Sequence, residues 1–497
     1  MAAAPATAPP SPKLPLKLLI DKERNRVVFA EADKGFVDIL FSFLTLPMGS
    51  IIRLLGKKTG VGSMDRLYES VAKFDERCFQ TPACRSMLLN PRSAAEIRCK
   101  GLALELDEES EPWIYYRCLS SRCGCAVSSV FGARCPCGGT TEAPILALGW
   151  QGCEESEKGF VREAVNFIVS DNLVVRPASI GASLALINDL GVDDGNVLEK
   201  KTVHLSREEI LNLLKRALVS KIPLTDVFLQ ELHTTDSAEK LPTKNIIQAN
   251  EKLKTSRDNN KKINLKLFLS KDTDKVVYAE AGKELVDLLF SFLTLPLGSI
   301  IKLLGMHSSL GCIDNLYESI ELLSSPDYII SNECKEMLSS PKLAPFFGLE
   351  KQLLQVEEDF PQTIKSCACK TCFSFSSATR CLHGHNVSFC NLMNPKLQNS
   401  GQEVGGGYVR GMGWYLITDE MEVSPLSPIT SVHIINKLMV PISGLEEVTA
   451  SLGEAEALDL LRACLISDEV LSDVFSPYLL KLLQQNWLGC FPCKSYK

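Results

Sequence analysis

The 21 residues Phe36 to Gly56, FVDILFSFLTLPMGSIIRLLG, return 249 positions later as Leu285 to Gly305, LVDLLFSFLTLPLGSIIKLLG, with 17 of 21 identical. A repeat of this length fixes domain count before any element is assigned, and the chain reads as a tandem duplication of one unit. On a helix, residues 36 to 46 are apolar on nearly every side. Asp38, Ser42 and Thr45 fall at i, i+4 and i+7 and form one narrow polar stripe, kept as Asp287, Ser291 and Thr294. The expectation is a helix buried over most of its surface and ended by Pro47 or Pro296. A second short apolar helix follows, carrying Arg53 or Lys302 and stopping at Gly56 or Gly305. A sharper reading makes Gly49-Ser50 a helix start that holds an anion with Arg53, whereas ordinary capping explains the same residues. An acidic residue one turn in, a proline in mid-run and a basic residue near the end argue against a membrane span.

With 497 residues, 45% of them hydrophobic and 23% charged, the chain has the balance of a globular protein of two to four domains. The net charge of -7 argues against a surface that takes its affinity from phosphate backbones or anionic lipid. The opening MAAAPATAPPSPK has no apolar core segment and reads as a disordered tail rather than a secretory signal, with a plastid-transit sequence as the alternative. Nineteen cysteines, an odd number, fit thiols or metal in a reducing compartment better than a disulfide framework. Cytoplasm or nucleus is the expected location.

Taken in order, LKLLI and RVVFAE flank the charged turn DKERN as a hairpin, and LKLFL and KVVYAE repeat it. The core helices follow, then MDRLYESV, matched by IDNLYESI. The loop GKKTGVGS has its lysines at the wrong end for a phosphate loop, and GGGYVRGMG lacks dinucleotide spacing. After a cysteine-rich insert each copy resumes with a second hairpin and two helices, the last opening on Ser206 and Glu209 at capping-box spacing. The copies close alike on LTDVF and LSDVF. The expected fold class is α+β, as two homologous lobes, each of hairpin, helices, a small zinc-ribbon-like insert, hairpin and helices. The expected boundaries are a tail over 1–15, repeats over 16–228 and 264–476 with inserts at 118–139 and 366–390, a linker over 229–263 and a tail over 477–497.

The inserts carry the chemistry. The first groups Cys118, Cys123, Cys125, Cys135 and Cys137; the second groups Cys367, Cys369, Cys372, Cys381 and His383. Aligning Arg134-Cys135 with Arg380-Cys381 puts His383 opposite Cys137, an exchange that a metal site tolerates and a disulfide does not, since both residues are donors to tetrahedral zinc. These ten residues are the candidates for structural zinc. Buried or surface thiols are the plainer reading, redox thiols the third, and only Cys369-x-x-Cys372 has standard spacing.

None of the six histidines sits opposite a histidine of the other copy, and no nucleophile-base spacing shows. The matched acids are Asp38/Asp287, Asp65/Asp314, Asp171/Asp419 and Asp226/Asp473, whose plain roles are helix starts and turns. Together LPxGSII(R/K)LLG, the paired LYES, the Cys-Pro element at 135 to 137 and the closing L(T/S)DVF resemble the plant family catalogued as domain of unknown function 674. The chain has Cys-Pro-Cys-Gly where that family has Cys-Pro-x-Cys, and Cys-Leu-His in the second copy. The resemblance implies no activity, substrate or cofactor. The expected function is therefore non-catalytic binding, as a scaffold or regulatory partner of other proteins, away from membranes. An enzyme with its site in a cleft between lobes is the alternative. Nucleic-acid binding through Arg117, Arg122 and Arg134 is a third reading, which the acidic total weakens.

Overall fold

The computed structural model describes residues 13–100, 102–107, 114–120, 126–148, 158–163, 165–229, 262–323, 327–349, 352–360, 365–367, 372–374, 387–397, 406–411 and 413–475. The two expected tails and the expected linker lie almost wholly outside them.

The first copy opens with the hairpin β1 (Leu14–Asp21) and β2 (Arg26–Ala32). The helices α1 (Lys34–Thr45), α2 (Met48–Leu54), α3 (Met64–Lys73), α4 (Pro82–Leu89) and the single turn α5 (Glu96–Cys99) follow. The insert holds β3 (Ile114–Cys118), β4 (Ala126–Ser128) and β5 (Thr141–Leu148). The copy closes with β6 (Phe167–Ser170), β7 (Val175–Pro177), α6 (Ile180–Asp189), β8 (Leu198–Leu205), α7 (Arg207–Val219) and α8 (Pro223–Phe228).

The second copy runs β9 (Ile263–Ser270), β10 (Val276–Ala281), α9 (Lys283–Ser291), α10 (Leu297–Leu303), α11 (Ile313–Leu322) and α12 (Asn332–Ser339). Its insert holds β11 (Lys365–Cys367), β12 (Cys372–Ser374), β13 (Val387–Phe389) and β14 (Asn391–Leu392). Then come β15 (Tyr415–Thr418), β16 (Val423–Pro425), α13 (Pro428–Lys437), β17 (Leu445–Leu452) and α14 (Glu454–Ile466). The chain is α+β, as its sequence implies.

Each copy forms a five-stranded antiparallel sheet of the same order, β7-β6-β2-β1-β8 and β16-β15-β10-β9-β17. One side of each sheet carries α6 or α13. The other meets the central helices, where α1 is buried along most of its length, stripe included. Ser42 donates to the Ile39 carbonyl and Thr45 to the Ser42 carbonyl, and Ser291 and Thr294 repeat both bonds. The hydroxyls of the stripe are thus satisfied by the local backbone and need no solvent.

Instead of two self-contained lobes, the copies embrace each other, and a single hydrophobic cluster takes residues from both. The α3 helix packs on α9 and β16 of the second copy, and α11 packs on α1 and β7 of the first. These contacts are reciprocal. Ser70 Oγ accepts from Val423 N at 3.0 Å and Ser319 Oγ from Val175 N at 2.9 Å. Ser63 N donates to Cys464 O and Cys312 N to Ala217 O. Pro47 pairs with Pro296 and Ser93 with Leu343, each residue facing its own counterpart across an approximate two-fold axis.

The inserts also merge. Their strands form one seven-stranded sheet, β13-β11-β12-β5-β3-β4-β14, in which β12 lies parallel to β5 and β14 parallel to β4. Only Cys390 separates β13 from β14, so the two ends of that order are a single run of chain and the sheet closes into a small barrel. Closure removes exposed edges. Tyr115, Val127, Ile145, Phe373 and Cys390, drawn from both inserts, form its filling.

Candidate metal centre

At the end of β3, Cys118 meets the turn that follows β4. In that turn Cys135 N donates to Gly139 O at 2.8 Å and Gly138 N to Cys135 O at 2.9 Å, with Gly138 at φ +90°. The turn folds Cys137 back toward β3. Cys137 Sγ lies 3.5 Å from Cys118 Sγ and 3.3 Å from Cys135 Sγ, and all three sulfurs lie within 4.8 Å of one another. A zinc tetrahedron with bonds of about 2.3 Å has edges of about 3.8 Å, so these sulfurs stand near three of its corners. A Cβ on Gly139 would approach Cys118 Sγ to 2.8 Å, so glycine keeps the pocket open. Ala133 and Met393 pack beneath, shielding the cluster on one side.

A hydrogen bond from the Gly139 amide, with help from the Cys135 thiol, pulls the Cys137 thiol down to about 6, into the range where it is a thiolate at neutral pH. Cys84, Cys99, Cys312 and Cys464 behave oppositely, since burial pushes each thiol up. They are packing residues.

Of the ten ligand candidates, the structure brings together Cys118, Cys135 and Cys137. Cys123, Cys125, Cys369, Cys381 and His383 lie outside the described residues. Cys367 and Cys372 lie on β11 and β12, where the backbone alone is described, and the register that pairs Ser366 with Phe373 sets them opposite each other.

A family model described as "Protein of unknown function (DUF674)" matches residues 10–455. The chain belongs to that family. No curated protein and no solved structure matches it. Among the described residues of this DUF674 member, no helix is long and apolar enough to cross a membrane.

The matched acids of the DUF674 chain are bound up in its own loops. Asp38 Oδ1 accepts from Phe160 N at 2.6 Å and Val161 N at 2.9 Å, and Asp287 Oδ1 from Tyr408 N at 2.7 Å and Val409 N at 3.0 Å. Asp65 accepts the amide and hydroxyl of Thr59, and Asp314 those of Ser308. Asp171 accepts both from Thr225, and Asp419 both from Ser472. Asp226 lies in the first turn of α8, and Asp473 accepts from Ser467 at 2.6 Å. Burial raises Asp38, Asp65 and Asp171 above the usual carboxylate range and lifts Asp287 and Asp419 to about 6.

The glycines before Phe160 and Tyr408 explain themselves here. A Cβ on Gly159 or Gly407 would fall 2.0 or 2.1 Å from the aspartate it faces. Gly407, in the glycine-rich run, therefore lets the backbone amides of Tyr408 and Val409 reach a buried carboxylate. The sequence carried a clue in the shared Gly-aromatic-Val, but nothing in it pointed to a partner more than 120 residues upstream.

The anion reading of Gly49-Ser50 is answered as well. Ser50 donates to Pro91 O at 2.7 Å, Ser299 does the same to Pro341 O, and Arg53 pairs with Asp107. A Cβ on Gly49 would meet backbone carbonyls at 3.0 Å, so this helix start is close-packed.

Proposed function

We propose that the chain acts by binding, as a scaffold or regulatory partner of other proteins, and that Cys118, Cys135 and Cys137 hold a structural zinc ion that pins the barrel. The observation that carries the reading is the three-sulfur cluster at tetrahedral spacing. The fourth donor comes from Cys123 or Cys125, which the sequence groups with the other three. Four protein donors leave no coordination position for water, so such a zinc staples the barrel and does not activate a nucleophile. A barrel of short strands is marginal alone, and metal ligation supplies the missing stability. Support for a non-catalytic role comes from the matched acids, whose lone pairs serve loop amides. The nineteen cysteines favour the reducing cytoplasm or nucleus. Apolar residues standing out on the outer helices, Ile180 and Leu184 on α6 with Ile429 and Val432 on α13, favour a protein partner.

Elemental analysis of protein purified without added metal tests the proposal. Zinc is expected in the wild type, with loss of the first-insert equivalent in Cys135→Ser and Cys137→Ser. Chelation is expected to lower the melting temperature. Metal-free protein with freely titrating Cys118, Cys135 and Cys137, or substrate turnover abolished by mutating one matched acid, would overturn it.

A further inference from the structure

A cavity of about 380 Å³ opens in the first copy between the end of α1, α2, residues between Asn90 and Asp107, the barrel strand β3 and the turn after β4. That volume lies within the range of small-molecule sites. Its wall carries three cations and three anions, and they pair off: Arg53 with Asp107, Arg92 with Glu96, and Lys100 with Glu105 at 2.8 Å. Arg92 is held further by the Ser129 carbonyl at 3.2 Å and lies over the Tyr115 ring at 5.0 Å. An ionic ligand would gain a charge contact here only by breaking a partly buried pair and stranding its partner, which costs more than the new contact returns. A neutral ligand leaves all three pairs intact.

Among the wall atoms buried without a hydrogen-bond partner in the described residues are Asp107 Oδ1 and Ser129 Oγ. Ser129 is 9% exposed. An orphaned buried polar atom is costly and is normally answered by water or a ligand. Asp107 Oδ1 only accepts, so the incoming group must donate. The neighbouring hydroxyls have spent their protons on backbone carbonyls, Ser42 on Ile39, Thr45 on Ser42, Ser50 on Pro91 and Ser93 on Thr45. What they still present is acceptor capacity. At the rim Phe131 is 57% exposed and stands edge to face against Tyr116, with ring centroids 5.4 Å apart. Its free face, with the negative side of an aromatic quadrupole, suits polarised C–H groups.

From this geometry we infer that the cavity binds one neutral polyhydroxylated molecule of monosaccharide or cyclitol size. Adjacent hydroxyls donate to Asp107 Oδ1 and engage Ser129 Oγ, and the C–H face of the ring lies on Phe131. Among the described residues the second copy does not repeat this wall. Aligned on Pro91 and Pro341, its Ser93, Glu96 and Cys99 fall opposite Leu343, Phe346 and Leu349, and Phe346 there packs edge to face on Phe360 at 5.2 Å. The inference goes beyond the scaffold reading and stands without the metal.

The test is calorimetric titration of the full chain with D-glucose, D-galactose and myo-inositol, beside glucuronate and glucosamine as charged counterparts. At least one neutral polyol is expected to bind saturably at one site per chain, more tightly than its charged counterpart. Ser129→Ala and Phe131→Ala are each expected to weaken it about tenfold. Phe360→Ala, which removes the ring that packs on Phe346 in the second copy, is expected to leave it unchanged. Phe131 is exposed, so its variant folds even if Ser129→Ala does not. The inference is overturned if no neutral polyol saturates, if a charged analogue binds as well as the neutral one, or if Phe131→Ala binds like wild type.

Discussion

Asp38 and Asp287 occupy matched positions with different electrostatics. Asp38 faces the Lys34 ammonium at 2.7 Å as well as two amides, whereas burial lifts Asp287 to about 6 with the two amides as its hydrogen-bond donors. An unfolded aspartate ionises near pH 4, so between about pH 4 and 6 the folded protein holds a proton that the unfolded chain has released. Stability therefore falls as pH rises through that window, by about 2–3 kcal/mol for this group. Asp287→Asn keeps an oxygen for both amides and carries no charge. Its denaturation midpoint at pH 7 is expected to equal or exceed that of the wild type, with a flatter profile between pH 4 and 6. Some slope remains, because Asp419 also sits at about 6. Asp38→Asn strands the Lys34 ammonium among the carbonyls of Lys158 and Val161, and is expected to cost about 2–4 kcal/mol at pH 7 in the same assay.

Among the elements, the matched loops before α3 and α11 are tight joints between the copies. Gly62 has φ +40°, and a Cβ there would meet Cys464 O at 2.5 Å; Gly311 has φ +35° and would meet Ala217 O at 2.2 Å. Both conflicts are with backbone of the other copy, which cannot swing aside. Gly311→Ala is expected to lower the melting temperature far more than Gly56→Ala, where φ is +64° but no atom lies within 4 Å and the cost is about 1 kcal/mol. On α7, the capping box foreseen from Ser206 and Glu209 is present, and Ser206→Ala is expected to cost about 1 kcal/mol by thermal melting. Both hairpins and the core helices were equally legible, because periodicity and punctuation are local. The strands β8 and β17 were not. LEKKTVHL and LEEVTASL sit at sheet edges with one side toward solvent, so they lack the apolar alternation that announces a strand.

At the scale of the molecule, the class and the repeat were written in the sequence, while the mutual embrace was not. Phe74 of the first copy packs its ring on Phe290 and Tyr415 of the second, with centroids 5.4 and 5.8 Å apart. No local pattern distinguishes that pairing from the same rings buried within one copy. The barrel was hidden for the same reason, since β5 and β12 pair across more than 200 residues. Likewise Cys118, Cys135 and Cys137 were legible as ligand candidates, but the cavity of the first copy is built from polar residues scattered over several helices, a strand and the loops between them. Two copies that share one interior and exchange helices have no independent way to unfold. Scanning calorimetry of the full chain measures this: one transition is expected, with calorimetric and van't Hoff enthalpies equal. Two separable transitions, one for each copy, would contradict the interlocked core.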